Sequence, residues 1–215
     1  MHDLLAKFFE TPNATHFLAV QAALRREYNL QTFTLELAEV AELLADGQFS
    51  QMRNRIARMM PAAALSPRVH AWGAVAAVEL GDHNDAEIER FQYDCCLQGL
   101  NATGDGTQRH PYRGTYASDA RDLLEWSGLL IRRQELQEIE DRRYDVFTCK
   151  DQRTVWFDVT PLVVGQPQLI AARLMPVGTT STPRTRTIRT APKKAATGVS
   201  RSKPSRAPRS RRTKA

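Results

Sequence analysis

The chain has 215 residues, and its formal charge of +6 is carried entirely at one end: no acidic residue follows Asp158, whereas thirteen Lys and Arg do. Residues 1–160 hold 17 basic and 24 acidic side chains, a net of −7, while residues 161–215 carry +13, so the tail can hold a polyanion that the body would repel. No stretch reaches the ~18 apolar residues of a membrane span, and Met1-His2-Asp3-Leu4 is not a basic segment leading an apolar one, so a soluble, cytoplasmic protein is expected.

From Leu4 to about Leu100 the apolar residues recur at helical spacing, and five or six short helices account for the stretch. Leu4, Leu5, Phe8 and Phe9 mark the first, and Phe17, Val20, Leu24 and Tyr28 the second, after a break at Thr11-Pro12-Asn13. Leu37, Val40, Ala41 and Leu44 form a third that stops at Asp46-Gly47, where glycine can take the left-handed conformation of a helix end. Met52, Ile56, Met59 and Met60 line a fourth. Ser66-Pro67 opens a fifth, with a hydroxyl cap followed by proline where a missing N–H costs nothing; Gly81-Asp82 closes it. Asn84 with Glu87 reads as a capping box for a sixth that continues to Gly99. The two hairpin turns, at 44–47 and 80–82, lie about 35 residues apart, a spacing near the tetratricopeptide period, so the region is tetratricopeptide-like.

Past residue 100 the period changes. Asn101 to Pro111 is polar and contains glycine, Tyr112 to Tyr116 is predicted as a short strand, and Ser118 caps a helix ending near Gly128-Leu129. Gln134–Ile139, Tyr144–Cys149 and Thr154–Val159 read as strands, the last two joined as a hairpin through Lys150-Asp151-Gln152-Arg153. The expected class is α+β: helical hairpins over 1–100, a small α/β region over 101–160, a linker over 161–183 with a short helix at Leu169–Met175, and a basic tail over 184–215. Cys95 and Cys96 diverge by about 100° on a helix, and neither they nor Cys149 sit in a Cys-x-x-Cys or beside a His pair. Neither a disulfide framework, a metal nor a cofactor is therefore expected.

A symmetric two- or four-residue loop would place Asp145 opposite Asp158 and Phe147 opposite Trp156. Facing carboxylates repel, so the pair either is functional, sharing a proton or holding a divalent cation, or is neutralised by Arg109, Arg113, Arg142 and Arg143 or by backbone N–H groups. Gly104-Asp105-Gly106-Thr107 with His110-Pro111 is the other dense cluster, in which Asp105 and His110 are further candidates for acid–base chemistry and a self-capped turn is the simpler account. The cluster lacks the glycines of a phosphate loop and the acidic ligands of a calcium loop.

The tail supplies Arg184, Arg186, Arg189, Lys193, Lys194, Arg201, Lys203, Arg206, Arg209, Arg211, Arg212 and Lys214, spaced by Ser, Thr, Ala and Pro. With Ile188 and Val199 as its only large apolar residues, it cannot bury a core and is expected to be disordered alone. Such a segment neutralises phosphates without reading bases, which points to non-specific nucleic acid or another polyanion as partner.

Taken in succession, Gly-Asp-Gly-Thr-x-x-x-Pro-Tyr at 104–112, Ser118-Asp119, Leu123-Leu124, Gly128-Leu129, Gln134-x-Leu136, Tyr144-Asp145-Val146 and Trp156-Phe157-Asp158-Val159 resemble the bacterial domain of unknown function 4919 family over about residues 34–160. Trp156 is a mild departure from that pattern, and the basic tail lies outside it. The resemblance implies an α+β body and brings no activity with it. The expectation is a non-enzymatic interaction protein with a protein or peptide partner for its helical region; the alternative is a hydrolase or metal-dependent enzyme using Asp145 and Asp158.

Overall fold

The computed structural model describes residues 1–163, which form an α+β body of eight helices and a three-stranded antiparallel sheet. The predicted linker beyond Val163, its short helix at Leu169–Met175 and the tail over 184–215 lie outside the described residues.

Helix α1 (His2–Glu10) turns through Thr11-Pro12 into α2 (Ala14–Glu27), whose first turn is capped by the Asn13 side chain accepting from the His16 N–H at 2.9 Å. Phe8 and Phe17 meet edge to face at 5.8 Å and lie over Gly99. A Cβ on Gly99 would stand 2.5 Å from the Phe8 ring and 2.8 Å from Phe17. Gly99 is thus a packing glycine rather than a helix end, and α6 (His83–Asn101) runs past it. A 3₁₀ turn at Leu30–Thr32 leads into α3 (Phe33–Ala45), α4 (Phe49–Met59) and α5 (Pro67–Glu79).

The expected punctuation is largely where the residues put it. Gly47 and Gly81 adopt φ of +67° and +78° at the two hairpin turns. The Ser66 hydroxyl accepts from the Val69 N–H, with Pro67 in the first helical turn. One cap differs: Asp82, not Asn84, starts α6, accepting from the Asp85 N–H at 3.2 Å while Arg53 holds its other oxygen at 3.0 Å. The arginine that reaches Asp82 comes from α4, so a tertiary contact decides between two locally suitable residues.

The Tyr112–Tyr116 segment is not a strand; it contributes a single parallel bridge from Tyr112 to Phe157. Ser118 makes no capping bond to α7 (Asp119–Trp126); instead the Asp119 carboxylate accepts from the Thr115 and Tyr116 N–H groups at 2.7 and 3.0 Å. The sheet follows in the order β1 (Ile131–Ile139), β2 (Arg142–Cys149), β3 (Thr154–Asp158), and the short α8 (Thr160–Val163) ends the described chain. Glu140 and Asp141, at φ of 48° and 62°, make the β1–β2 turn without the usual Asn-Gly signal. Phe147, Cys149, Val155 and Phe157 from one sheet face join Phe8, Leu24, Val69, Leu97 and Leu123 in one continuous core.

The β2–β3 register departs from expectation by one residue. Asp145 pairs with Phe157, Tyr144 with Asp158, Val146 with Trp156 and Phe147 with Val155. The loop is the cause: the Gln152 N–H donates to the Cys149 carbonyl at 3.0 Å, Cys149 N–H to the Arg153 carbonyl at 2.8 Å, and Gln152 takes φ of 70°. Such a three-residue loop moves the partner strand by one position, and a one-residue slip sends every side chain to the other face. Asp145 and Asp158 therefore lie on opposite faces of the sheet, and no cross-strand carboxylate pair exists.

A left-handed backbone costs a non-glycine residue roughly 1–2 kcal/mol, partly offset by the entropy glycine loses. Gln152→Gly is accordingly expected to raise unfolding stability by up to about 1 kcal/mol in urea titrations. A loss of stability would show that residue 152 is not left-handed and would restore the other register.

Candidate functional site

Three of the four sequence candidates converge beside the 103–113 loop. Thr103 anchors both ends of that loop, donating its hydroxyl to the Leu100 carbonyl at 2.7 Å and accepting from the Arg113 N–H at 2.9 Å. Within it the Asp105 and Gly106 N–H groups both reach the His110 carbonyl, at 2.9 and 3.2 Å. Asp105 accepts from the Thr107 N–H at 2.9 Å, and the Thr107 hydroxyl accepts from the His110 N–H at 3.2 Å. This is the self-capped turn the residues suggested. Gly104 is required because a Cβ there would fall 2.5 Å from the His110 carbonyl oxygen.

The loop is laid along the sheet by backbone bonds. Trp156 N–H donates to Gly106, Tyr112 N–H to Trp156, and Asp158 N–H to Tyr112, at 2.9, 3.0 and 2.8 Å. That pairing places Arg109, His110 and Arg113 opposite Arg142 and Asp158 around a cleft of about 460 Å³, which Asp105 also lines. Asp158 is buried; one carboxylate oxygen accepts from the Thr160 N–H at 3.0 Å and the other faces the Arg142 guanidinium at 3.6 Å. Asp105 is held below the usual carboxylate range by the Thr107 hydroxyl and N–H. Asp145 does not reach this cleft; it is 1% exposed on the core face, in register with Leu136 and Phe157. Of the four arginines expected to neutralise the aspartates, Arg109, Arg113 and Arg142 line the cleft, while Arg143 turns to Glu138 at 3.5 Å.

Sequence reasoning passed over the buried ionisable groups at the helical junction. Asp122 receives the Arg68 guanidinium, and Asp119 is 1% exposed with two backbone donors on one oxygen. Burial raises Asp119 to about 7 despite those donors, and raises Asp122 as well. His70, 2% exposed, places one ring nitrogen 2.7 Å from Glu89 and the other 3.0 Å from the Ala64 carbonyl. Gly73 makes room for that contact, since a Cβ would lie 2.8 Å from the Glu89 carboxyl carbon. Nothing in the local sequence separates these residues from surface charges; only the fold dries them. The three thiols, Cys95, Cys96 and Cys149, are buried and unlinked, and burial pushes the Cys96 thiol well up.

No family model, curated protein or solved structure matches the chain. Among the described residues no three His, Cys, Asp or Glu side chains are grouped to hold a metal ion, and no helix is long and apolar enough to cross a membrane.

Asp119 also yields a pH dependence. Its native value of about 7 exceeds its ordinary 3.8, so the native state binds the extra proton and stability falls as pH rises from about 4 to about 7, then levels off. Asp122 is raised as well and adds to the loss in the same direction, whereas Asp82, Asp105 and Asp151 are shifted downward and act at lower pH. Urea titrations at pH 5 and pH 8 are expected to show the wild type losing stability across that interval and Asp119→Asn losing much less. Equal slopes for the two proteins would show that Asp119 is ionised throughout.

Proposed function

We propose that this chain is a non-enzymatic interaction protein of the cytoplasm, whose basic segment over 184–215 binds nucleic acid or another polyanion without sequence preference. The observation that carries the reading is charge segregation: every one of the thirteen Lys and Arg after residue 160 is free of an acidic neighbour in sequence, on a chain whose first 160 residues sum to −7. Twelve of them fall within 184–215, interleaved with Ser, Thr, Ala and Pro and with no aromatic residue to stack on bases.

The helical region supports a protein or peptide partner on its own evidence. Val75, Val78 and Leu80 at the α5 end and Ile88 and Phe91 of α6 are exposed large apolar side chains on the two helices of one hairpin. The tetratricopeptide likeness and kinship to the domain of unknown function 4919 family over about residues 34–160 belong to the same proposal. The enzyme alternative loses its stated carboxylate pair, because the β2–β3 register puts Asp145 and Asp158 on opposite sheet faces.

Each phosphate engaged on duplex DNA contributes about −0.9 to the slope of log K against log salt. Binding of the full chain to a mixed-sequence duplex is expected to show a slope steeper than about −4, and a chain lacking residues 184–215 a slope near zero with far weaker affinity. Unchanged affinity after the deletion would remove the tail from any role in polyanion binding.

A further inference from the structure

We propose that the cleft between the 103–113 loop and the end of the sheet is a binding site for a small phosphate-bearing ligand, held by Arg109, Arg113 and Arg142. The site uses residues distinct from the tail and stands independently of the polyanion reading. Three arginines and two aspartates line a cleft of about 460 Å³, within the range of small-molecule sites. Both carboxylates are already committed, Asp105 to the Thr107 N–H and Asp158 to the Thr160 N–H and Arg142. Among the described residues no ion pair involves Arg109 or Arg113, so their charge is available on a body that is otherwise acidic.

The roots of these side chains are fixed. The Arg113 N–H is bound to Thr103 and its carbonyl accepts the Gln21 amide at 3.1 Å, and Arg109 sits inside the Asp105–His110 turn. This anchoring sets the spacing of the arginines and lowers the loop's share of the ordering cost of binding. The half-buried Arg25 guanidinium, tied to the Gly114 carbonyl at 3.1 Å, adds positive charge near Arg113, with Asp119 and Asp158 as counter-charges.

The donor geometry selects phosphate over carboxylate. Three planar guanidinium forks offer more N–H groups than two carboxylate oxygens accept, whereas a phosphomonoester presents three charged oxygens to them. The rest of the lining is Ala102, Thr103, Gly104, Pro111 and the small imidazole of His110, with no Phe, Tyr or Trp ring. The recognised part is therefore the phosphoryl group of a compact ligand rather than a nucleobase held between large rings.

The test is isothermal titration of the full-length protein with inorganic phosphate and with glycerol phosphate, against acetate at matched ionic strength. The double variant Arg109→Gln, Arg113→Gln is expected to weaken binding of both phosphates by about tenfold or more, with its melting temperature unchanged. Should the double variant misfold, Arg109→Gln alone, whose side chain makes no described contact, is expected to lose several-fold. A tail variant, Arg209→Gln, Arg211→Gln, Arg212→Gln, is expected to bind phosphate as the wild type does. Tighter binding of glycerol phosphate would assign a phosphate ester and the reverse order free phosphate. Undiminished phosphate binding by the folded arginine variants, loss in the tail variant, or equal binding of acetate would each overturn the proposal.

Discussion

The short connection Arg113–Tyr116 is gripped from two sides by buried polar groups, and the placement of sheet and cleft depends on that grip. Gln21, 5% exposed on α2, directs its amide N–H₂ at the Arg113 and Gly114 carbonyls and the Thr115 hydroxyl, at 3.1, 3.0 and 3.1 Å. From the other side Asp119 of α7 accepts the Thr115 and Tyr116 N–H groups. Gly114 lies between, where a Cβ would stand 3.2 Å from the Asp119 carboxylate. A buried connection must satisfy every backbone polar group it carries, and a misplaced one would leave several orphaned at roughly 1–3 kcal/mol each. That penalty makes the position of the segment sharply defined, and Arg113 inherits it.

The same arithmetic explains why Asp119 is tolerated at 1% exposure with its value raised to about 7. Its two backbone donors favour the charged form while burial disfavours it, and burial wins. A carboxyl group so placed ties the 115–116 connection to the first turn of α7 through hydrogen bonds that survive protonation, since a carboxylic acid still accepts. The junction holds its geometry while its proton count changes, which is a structural role and requires no substrate.

The fold was legible where one residue suffices to set local backbone. Ser66-Pro67, Gly47 and Gly81 announce helix boundaries through a hydroxyl, a locked φ and a missing Cβ, and each acts as its chemistry requires. Legibility failed where neighbours in space decide. Arg53 draws the α6 cap to Asp82, the Phe8 and Phe17 rings turn Gly99 from a terminator into a packing site, and Gln152 adopts a left-handed backbone that glutamine does not advertise. That last residue reversed the reading of the candidate site, since the facing of Asp145 and Asp158 hung on loop parity alone. The arginines fared better: Arg109, Arg113 and Arg142 were foreseen as partners for the aspartates, and they do gather at Asp158, yet only one of them is used up there.

On the proposed readings, one cationic locus in the tail and one in the otherwise acidic body divide recognition along physical lines. Tail cations spaced by Ser, Thr, Ala and Pro would, on the proposed function, engage phosphates one by one, with a free energy that is chiefly counterion release and so scales with the number engaged and fades with salt. The cleft would offer three arginines, Arg142 on β2 and two rooted in a loop whose backbone is closed by its own hydrogen bonds, so its free energy would come from directed contacts and from backbone order already present. Salt weakens the cleft as well, since its three arginines are exposed and ions screen charge over a Debye length of about 10 Å at 0.1 M, but small ions do not reproduce the geometry of a fork. A ligand with a single phosphoryl group gains little from the tail and most from the cleft, and a polyanion the reverse. The acidic remainder of the body, net −7 over residues 1–160, disfavours anions everywhere else, which sharpens both preferences at once.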